Sequence, residues 1–227
     1  MTRISINEEL LIARAAGSLS APMRMLVDTH AAMNIQIAEA VRTAEASAAA
    51  LLKEEPPAEM AENALDIALA AIEAIETGAG EAAGLKPVAA RAAVKAVDAA
   101  FAELMDLPEP VRERALEAGA GWRFAAPGVR RIELISEGDA KAELLRIEPG
   151  HGSPSHTHEG NEFTLVLAGA FSDGIGRYAK GDLCAVDGDT THRPIAEPGE
   201  TCFALAVTDG SLKFTGPLGA VQRLFGG

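Results

Sequence analysis

The sequence contains few cysteines and few aromatic residues, and it has no long apolar run. Its 227 residues include two cysteines, Cys184 and Cys202, which are too few for a disulfide framework and lack zinc-finger spacing. We interpret them as reduced core thiols. No uninterrupted stretch reaches the ~18 apolar residues that cross a bilayer, and Glu8, Glu9 and Arg14 lie where a secretory signal would be apolar. We therefore expect a cytoplasmic protein with no export signal and no membrane-spanning segment.

Positive charge is also scarce. The chain has 20 basic and 33 acidic residues, which gives a formal net charge of -13. Residues 1–118 hold 19 of the acidic residues and 10 of the basic ones. A surface this acidic repels phosphate backbones, which argues against direct binding to DNA or RNA. Any role in transcription would therefore act through a protein partner.

The composition changes near residue 120. Alanine, leucine and glutamate dominate the first part, which favours helices. Further on, segments such as EFTLVLAGAF and CFALAVTDG alternate with turn residues at intervals of roughly ten residues, as in barrels and jelly rolls. We predict an α+β multidomain chain. It has an all-α helical bundle over residues 1–80, an additional helix and linker over residues 81–120, and an all-β domain over residues 121–227.

Capping and breaking residues divide the first part into four predicted helices. They are a short helix capped by Asn7, a long helix from Ser20 to about Leu52, an amphipathic run from Met60 to Ile75, and a run from Pro87 to about Leu107. Each has one apolar face. The set can bury these faces as a small bundle, and an exposed remainder could bind a partner. The sequence leaves both uses open.

Histidines in the second part are spaced for metal binding. His156 and His158 lie two residues apart, so on a strand both side chains project from one face, and Glu162 has the same parity. Imidazole and carboxylate donors suit zinc, iron, manganese or nickel, and His192 is the obvious fourth donor. We predict that His156, His158, Glu162 and His192 bind one divalent metal ion. His151 is interpreted as a solvated turn histidine instead.

The same residues resemble a known motif. Gly150, His156, His158, Glu162 and Gly169 stand at the spacing of the first cupin motif. The second cupin motif is looser: Gly181 and His192 have the expected separation, but Asp187 and Asp189 replace the usual proline and glycine, and Ala196 replaces a common asparagine. The resemblance implies a cupin barrel, or jelly roll, with a metal site of three histidines and one carboxylate.

An acidic helical region followed by a cupin resembles the ChrR-type anti-sigma factors. The resemblance spans nearly the whole chain, including LIARAAGSLSAPMRMLVDTH over residues 11–30 and the run that ends in AVTDGSLKF. It implies that residues 1 to about 80 sequester a sigma factor of the extracytoplasmic-function class. It also implies a cupin that senses an oxidative or small-molecule signal, with zinc as its metal. The net negative charge of the helical region would complement the basic surfaces of a sigma factor.

The helical region departs from that family at its metal site. The family holds zinc there through a histidine, two cysteines spaced after it and another histidine near the N-terminus. Here His30 is present, but Asn34 and Ile37 stand at the cysteine positions, and the residues around Ser5 include no histidine. One imidazole and one amide cannot replace that ligand set. We expect no zinc in the helical region, and we interpret His30 as a core or surface histidine.

Two other functions are compatible with the sequence. A metal-dependent cupin enzyme of the dioxygenase type would use the same site, with Tyr178 and Arg177 as the best guesses for a second catalytic group. A metal-stabilised binding module is the third, and the cupin is the part through which a homo-oligomer would form. The sequence favours the regulator, and we assign no catalytic residues and no residues that bind an organic cofactor.

Overall fold

The computed structural model describes residues 6–76, 102–119, 121–209 and 212–214. The helices are α1 (Glu8–Ala15), α2 (Ala21–Met33), α3 (Ile35–Glu54), α4 (Ala64–Glu76) and α5 (Glu109–Glu117). The strands are β1 (Arg123–Ala126), β2 (Val129–Glu137), β3 (Ala140–Ile147), β4 (His156–His158), β5 (Glu162–Ala168), β6 (Ala170–Ser172), β7 (Arg177–Ala179), β8 (Leu183–Val186), β9 (Ile195–Ala196), β10 (Cys202–Thr208) and β11 (Leu212–Phe214). The prediction of helices followed by an all-β part is confirmed.

The predicted helix boundaries are partly right. Asn7 Oδ1 accepts a hydrogen bond from the Leu10 backbone at 3.0 Å, as expected of a cap. The single helix predicted from Ser20 to Leu52 is wrong, because α2 ends at Met33. Asn34 is extended, and its side chain accepts from the backbone N–H of Gln36 at 2.9 Å, so it caps a new helix, α3.

The third and fourth predicted helices differ from the structure or lie partly outside the described residues. The amphipathic run becomes helical only at Ala64, so Met60 precedes α4 and its side chain is exposed. Most of the run predicted from Pro87 to Leu107 lies outside the described residues. Its final part is described: residues 102–105 are helical, and Leu104 and Leu107 are buried. None of the helices described has both the length and the hydropathy needed to cross a membrane.

The strands form three antiparallel sheets rather than one closed barrel. A six-stranded sheet has the order β1-β2-β3-β10-β5-β8, a three-stranded sheet has the order β7-β6-β9, and β11 pairs with β4. The chain passes from the first sheet to the second at Gly169, between β5 and β6. Gly169 has φ +69°, and a Cβ there would lie 2.7 Å from the Thr201 carbonyl oxygen. This crossing therefore requires glycine.

Helix α2 packs against both halves of the molecule. Leu26 and Val27 have no exposed surface and lie in the same buried cluster as Leu144 of β3 and Leu205 of β10. At the start of α2, the Ala21 backbone N–H donates to a carboxylate oxygen of Glu137 at 2.6 Å. A carboxylate at a helix N-terminus is stabilising. The β2–β3 hairpin thus caps a helix of the N-terminal region.

The other end of α2 also contacts the β domain. His30 is 3% exposed. Burial lowers the pKa of its imidazole, and a hydrogen bond with the Gly181 backbone and the charge of Asp182 only partly oppose this effect. Gly181 and Asp182 lead directly into β8. His30 is therefore a buried core histidine where the helices meet the sheet.

Replacing His30 by glutamine is expected to reduce the acid sensitivity of the fold. Because the pKa is lower in the folded chain, the unfolded chain binds the proton first as pH falls. The neutral imidazole makes its full contribution to the free energy of unfolding above about pH 6.5. That contribution declines as the pH falls from about 6.5 towards the lower pKa of the folded chain. Denaturant unfolding at about pH 7.5 and about pH 5 should show a larger loss of unfolding free energy in the wild type than in His30→Gln. An equal loss of unfolding free energy in the wild type and in His30→Gln would contradict this account. His151→Gln, at an exposed histidine, is the control.

Candidate metal centre

The four predicted ligands come together in the interior of the β domain. His156 and His158 lie on β4, and Glu162 begins β5. An antiparallel bridge joins His156 to His192, with backbone N···O distances of 3.1 and 3.0 Å. All four residues are buried, between 2% and 9% exposed. The four side chains predicted from the sequence therefore meet. The period-two argument holds for His156 and His158 on β4, whereas Glu162 lies on a separate strand.

The donor atoms have separations that suit a single ion. The Nε2 atoms of His156 and His192 lie 3.0 Å apart, and those of His158 and His192 lie 3.4 Å apart. His158 Nε2 lies 2.8 Å from Glu162 Oε2. Donors that bind one ion at about 2.0–2.2 Å are themselves roughly 3–3.5 Å apart in octahedral or tetrahedral arrangements. The cluster could therefore hold a divalent metal ion.

Hydrogen bonds fix part of the protonation pattern. His156 Nδ1 lies 2.7 Å from the Pro154 carbonyl oxygen. A carbonyl only accepts, so the proton is on Nδ1 and the Nε2 lone pair faces the cluster. Thr164 Oγ1 donates to Glu162 Oε1 at 2.8 Å and holds the carboxylate in place.

Two buried ring nitrogens of the cluster have no hydrogen-bond partner among the described residues. They are Nδ1 of His158 and Nδ1 of His192. Buried polar atoms are normally paired. The Nε2 atoms of His156 and His158 lie 3.0 and 3.4 Å from His192 Nε2, so an ion bound by all three would relieve the repulsion between their lone pairs. It would leave the two Nδ1 atoms to be paired separately. The donor set therefore fits a metal.

The pKa shifts of His156 and Glu162 favour the protonation states that bind metal ions. Burial lowers the pKa of His156, which keeps the imidazole neutral. Burial alone would raise the pKa of Glu162, but the contacts with His158, His192 and Thr164 outweigh it and hold the pKa below its ordinary value. Neutral imidazoles and an ionised carboxylate are the forms that bind metal ions.

The two cysteines are free and buried, as predicted. Burial raises the pKa of Cys184 and of Cys202 to about 12 each. Since the thiolate is the reactive form, burial lowers the reactivity of both thiols near neutral pH.

The other candidate residues lie outside the cluster. His151 is exposed, and its Nδ1 lies 3.1 Å from the Pro149 carbonyl oxygen. Tyr178 interacts with Cys184 rather than with the ligands. Arg177 is exposed and lies 4.0 Å from Glu197. The two candidates for a second catalytic group thus interact with Cys184 and with Glu197.

One buried acid near the cluster was not predicted. Asp173 Oδ2 lies 3.7 Å from His192 Nδ1, and the Asp173 side chain has no exposed surface. In sequence it precedes Gly174, which is typical of a solvated turn. Local sequence carries no signal for its burial, because the partner comes from a distant segment.

Other residues stand at the positions where the resemblance implies zinc ligands in the helical region. Asn34 caps α3, and Ile37 is buried in the core at 7% exposure. Ile6, near the N-terminus, is also buried at 5%. The described residues at these positions thus supply apolar packing and a helix cap.

Comparison with known proteins places these features in a family. Residues 115–212 match the family described as the ChrR Cupin-like domain. The chain is 33% identical over 212 residues to the Anti-sigma-E factor ChrR of Cereibacter sphaeroides, covering 93% of this chain and 92% of that protein. It is also similar to the crystal structure of Rhodobacter sphaeroides SigE in complex with the anti-sigma ChrR. That match has a TM-score of 0.67 and 29% identity, and it covers 91% of this chain and 99% of the other. The similarity includes the helical part as well as the cupin.

Proposed function

Because the chain belongs to the ChrR family of anti-sigma factors, we propose that it sequesters a sigma factor of the extracytoplasmic-function class. Sequestration would use the helical domain, residues 1–80, and take place in the cytoplasm. The solved relative is a complex of SigE with ChrR, which supports a sigma factor as the partner. The family resemblance inferred from the sequence is confirmed.

The observation that carries this proposal is an exposed apolar surface on α4 and the end of α3. Residues 65–73 of α4 are all exposed. The large apolar side chains of this surface are between 53% and 73% exposed: Leu51, Leu52, Leu65, Ile67, Leu69 and Ile72. A helix this apolar is normally buried against another surface, so exposed apolar side chains in this number indicate a protein interface. We call these six residues the apolar surface.

Charge around the apolar surface supports the same partner. Asp66 and Glu73 are the acidic residues among the exposed positions of α4, which has no basic residue. Residues 1–118 as a whole have nine more acidic than basic residues. Sigma factors bind DNA and polymerase through basic surfaces, so an acidic rim would speed association and cover those surfaces.

For the cupin, we propose that His156, His158, Glu162 and His192 bind one metal ion, with zinc as the family's metal. When bound, the ion supplies a positive charge and a cross-link between β4, β5 and the segment before β9. The Nδ1–H of His156 donates to the Pro154 carbonyl oxygen, so the Nε2 lone pair points into the cluster. Thr164 donates to the Glu162 carboxylate and orients it. In the helical domain, Asn34 and Ile37 replace thiolates, so we propose that it folds without zinc.

The cupin would sense an oxidative or small-molecule signal. Since burial raises the pKa of both cysteine thiols to about 12, thiol oxidation is a poor route for that signal. The metal cluster is the better sensor. Helix α2 offers a physical connection from the cupin to α3, which carries Leu51 and Leu52 of the apolar surface. The cupin contacts the start of α2 through Glu137 and its end through Gly181, and α2 leads through Asn34 directly into α3. Allosteric coupling requires such a shared element.

Run-off transcription tests the proposed function directly. The full chain, added at equimolar amount to its sigma factor before core polymerase, is expected to suppress transcripts from the promoter of that sigma factor by more than about tenfold. Transcription by polymerase with an unrelated housekeeping sigma factor is the control. Undiminished transcripts at several-fold excess of the chain would contradict sequestration.

A further inference from the structure

A turn between β6 and β7 holds a buried carboxylate next to the metal cluster. Asp173 opens this turn, and its Oδ1 accepts hydrogen bonds from the backbone N–H groups of Ile175 at 2.8 Å and Gly176 at 2.9 Å. The side chain has no exposed surface. Two backbone donors on one oxygen fix the plane of the carboxylate, so the direction of the other oxygen is also set.

The second oxygen of Asp173 faces the back of a proposed ligand. Oδ2 lies 3.7 Å from His192 Nδ1. That nitrogen has no hydrogen-bond partner among the residues that the structure describes. Nε2 of the same ring lies 3.0 Å from His156 Nε2, inside the cluster. His192 thus stands between the cluster and the carboxylate, with one nitrogen directed to each.

We propose that Asp173 is a positioning residue of the metal centre, which accepts a hydrogen bond from the Nδ1–H of His192 and so directs the Nε2 lone pair at the ion. This inference rests on the proposed metal site. Metal-binding imidazoles usually donate their other N–H to a carboxylate or carbonyl, which fixes the tautomer and raises the basicity of the ligand. The 3.7 Å separation exceeds a hydrogen bond. We expect it to shorten when an ion occupies Nε2.

His156 provides an internal precedent. Its Nδ1–H donates to the Pro154 carbonyl oxygen at 2.7 Å, which directs the Nε2 lone pair at the cluster. Asp173 would do the same for His192 with a charged acceptor. A charged acceptor makes the stronger hydrogen bond. Two of the three imidazoles would then be fixed in the binding tautomer by the protein itself.

Cys184 holds the carboxylate from the other side. Its Sγ donates to Asp173 Oδ2 at 3.6 Å, and Tyr178 forms a side-chain hydrogen bond with Cys184. Tyr178 in turn stacks on Phe171 with ring centroids 5.1 Å apart. This chain of contacts gives Cys184 a structural role, as a donor that keeps Oδ2 directed inward.

Asp173→Asn is the test variant. The asparagine amide keeps the shape and an oxygen for the two backbone donors, but it removes the charged acceptor behind His192. Zn²⁺ affinity, measured by competition with a chelator, is expected to fall ten- to a hundredfold. The Co²⁺-substituted protein should also show an altered visible absorption spectrum, since the geometry of one ligand changes. Asp187→Asn is the matched control, because Asp187 is exposed and is paired with Thr190 at 2.7 Å.

Wild-type affinity and an unchanged Co²⁺ spectrum in Asp173→Asn would overturn the proposal. If that variant does not fold, nitrogen NMR of the zinc-loaded wild type decides. A protonated His192 Nδ1 with a slowly exchanging proton supports the proposal, and a rapidly exchanging proton overturns it. Failure of the wild type to bind Zn²⁺ at all would instead refute the metal site itself.

Discussion

Replacing Leu69 and Ile72 of α4 by glutamate is expected to weaken sigma-factor binding at least a hundredfold. Their side chains are 54% and 53% exposed. Apolar side chains at the centre of an interface often contribute about 2 kcal/mol or more each, and glutamate would add desolvation and repulsion. Because both positions are on the surface, the free energy of unfolding should change by less than about 1 kcal/mol. Titration calorimetry with the full chain and the purified sigma factor measures the effect.

A matched control distinguishes specific binding through the apolar surface from non-specific hydrophobic binding. Phe124 lies on β1 of the cupin and is 71% exposed, so Phe124→Glu removes a similar area far along the chain. It should leave the dissociation constant within about twofold of the wild type. The account is wrong about the docking surface if the α4 variant binds normally. It is equally wrong if Phe124→Glu weakens binding to the same degree.

Replacing both His156 and His158 by alanine is expected to abolish metal binding. Two of four donors are lost, and the remaining pair cannot enclose an ion. Metal content after purification should fall from about one ion per chain to less than about a tenth. The thermal stability of the double variant should no longer respond to added Zn²⁺. In the wild type, Zn²⁺ at about 100 times its Kd would stabilise the fold by about 2.7 kcal/mol. Elemental analysis and calorimetric melting provide these values.

His151→Ala is the control for the double variant, since His151 is an exposed imidazole five residues before His156. It should retain the full metal content. Metal content in the His156/His158 double variant equal to that of the wild type would refute the ligand assignment.

The sequence predicted the ligand cluster because its signal is local. His156 and His158 share the parity of β4, which puts both side chains on one face. Glu162 begins β5 after a break at residues 159–161, so the spacing of the motif predicted its position and parity did not. His192 required the motif spacing, since its bridge to His156 is a contact between distant segments. Asp173 was missed for the same reason. No local pattern indicates that a turn aspartate will be buried behind a distant histidine.

The helical region shows a different limit of sequence reasoning. The apolar spacing of α4 predicted a helix, but it could not tell a buried face from an exposed one. Asn34 interrupted a continuous helical pattern through a cap that competes with the helix backbone. The sequence left His30 as a core or a surface histidine, and the structure buries it. Its contact with Gly181 depends on how α2 packs against the cupin.

Co-purification tests the central claim most directly. The full chain is co-expressed with the sigma factor encoded nearest its gene, and the lysate is resolved by affinity and size-exclusion chromatography. The account predicts one peak that contains both proteins in equimolar amounts, and separation of the two when α4 carries the Leu69→Glu and Ile72→Glu changes. Separate elution of the wild-type chain and the sigma factor, at concentrations of about 10 μM where a nanomolar complex would be saturated, would contradict it.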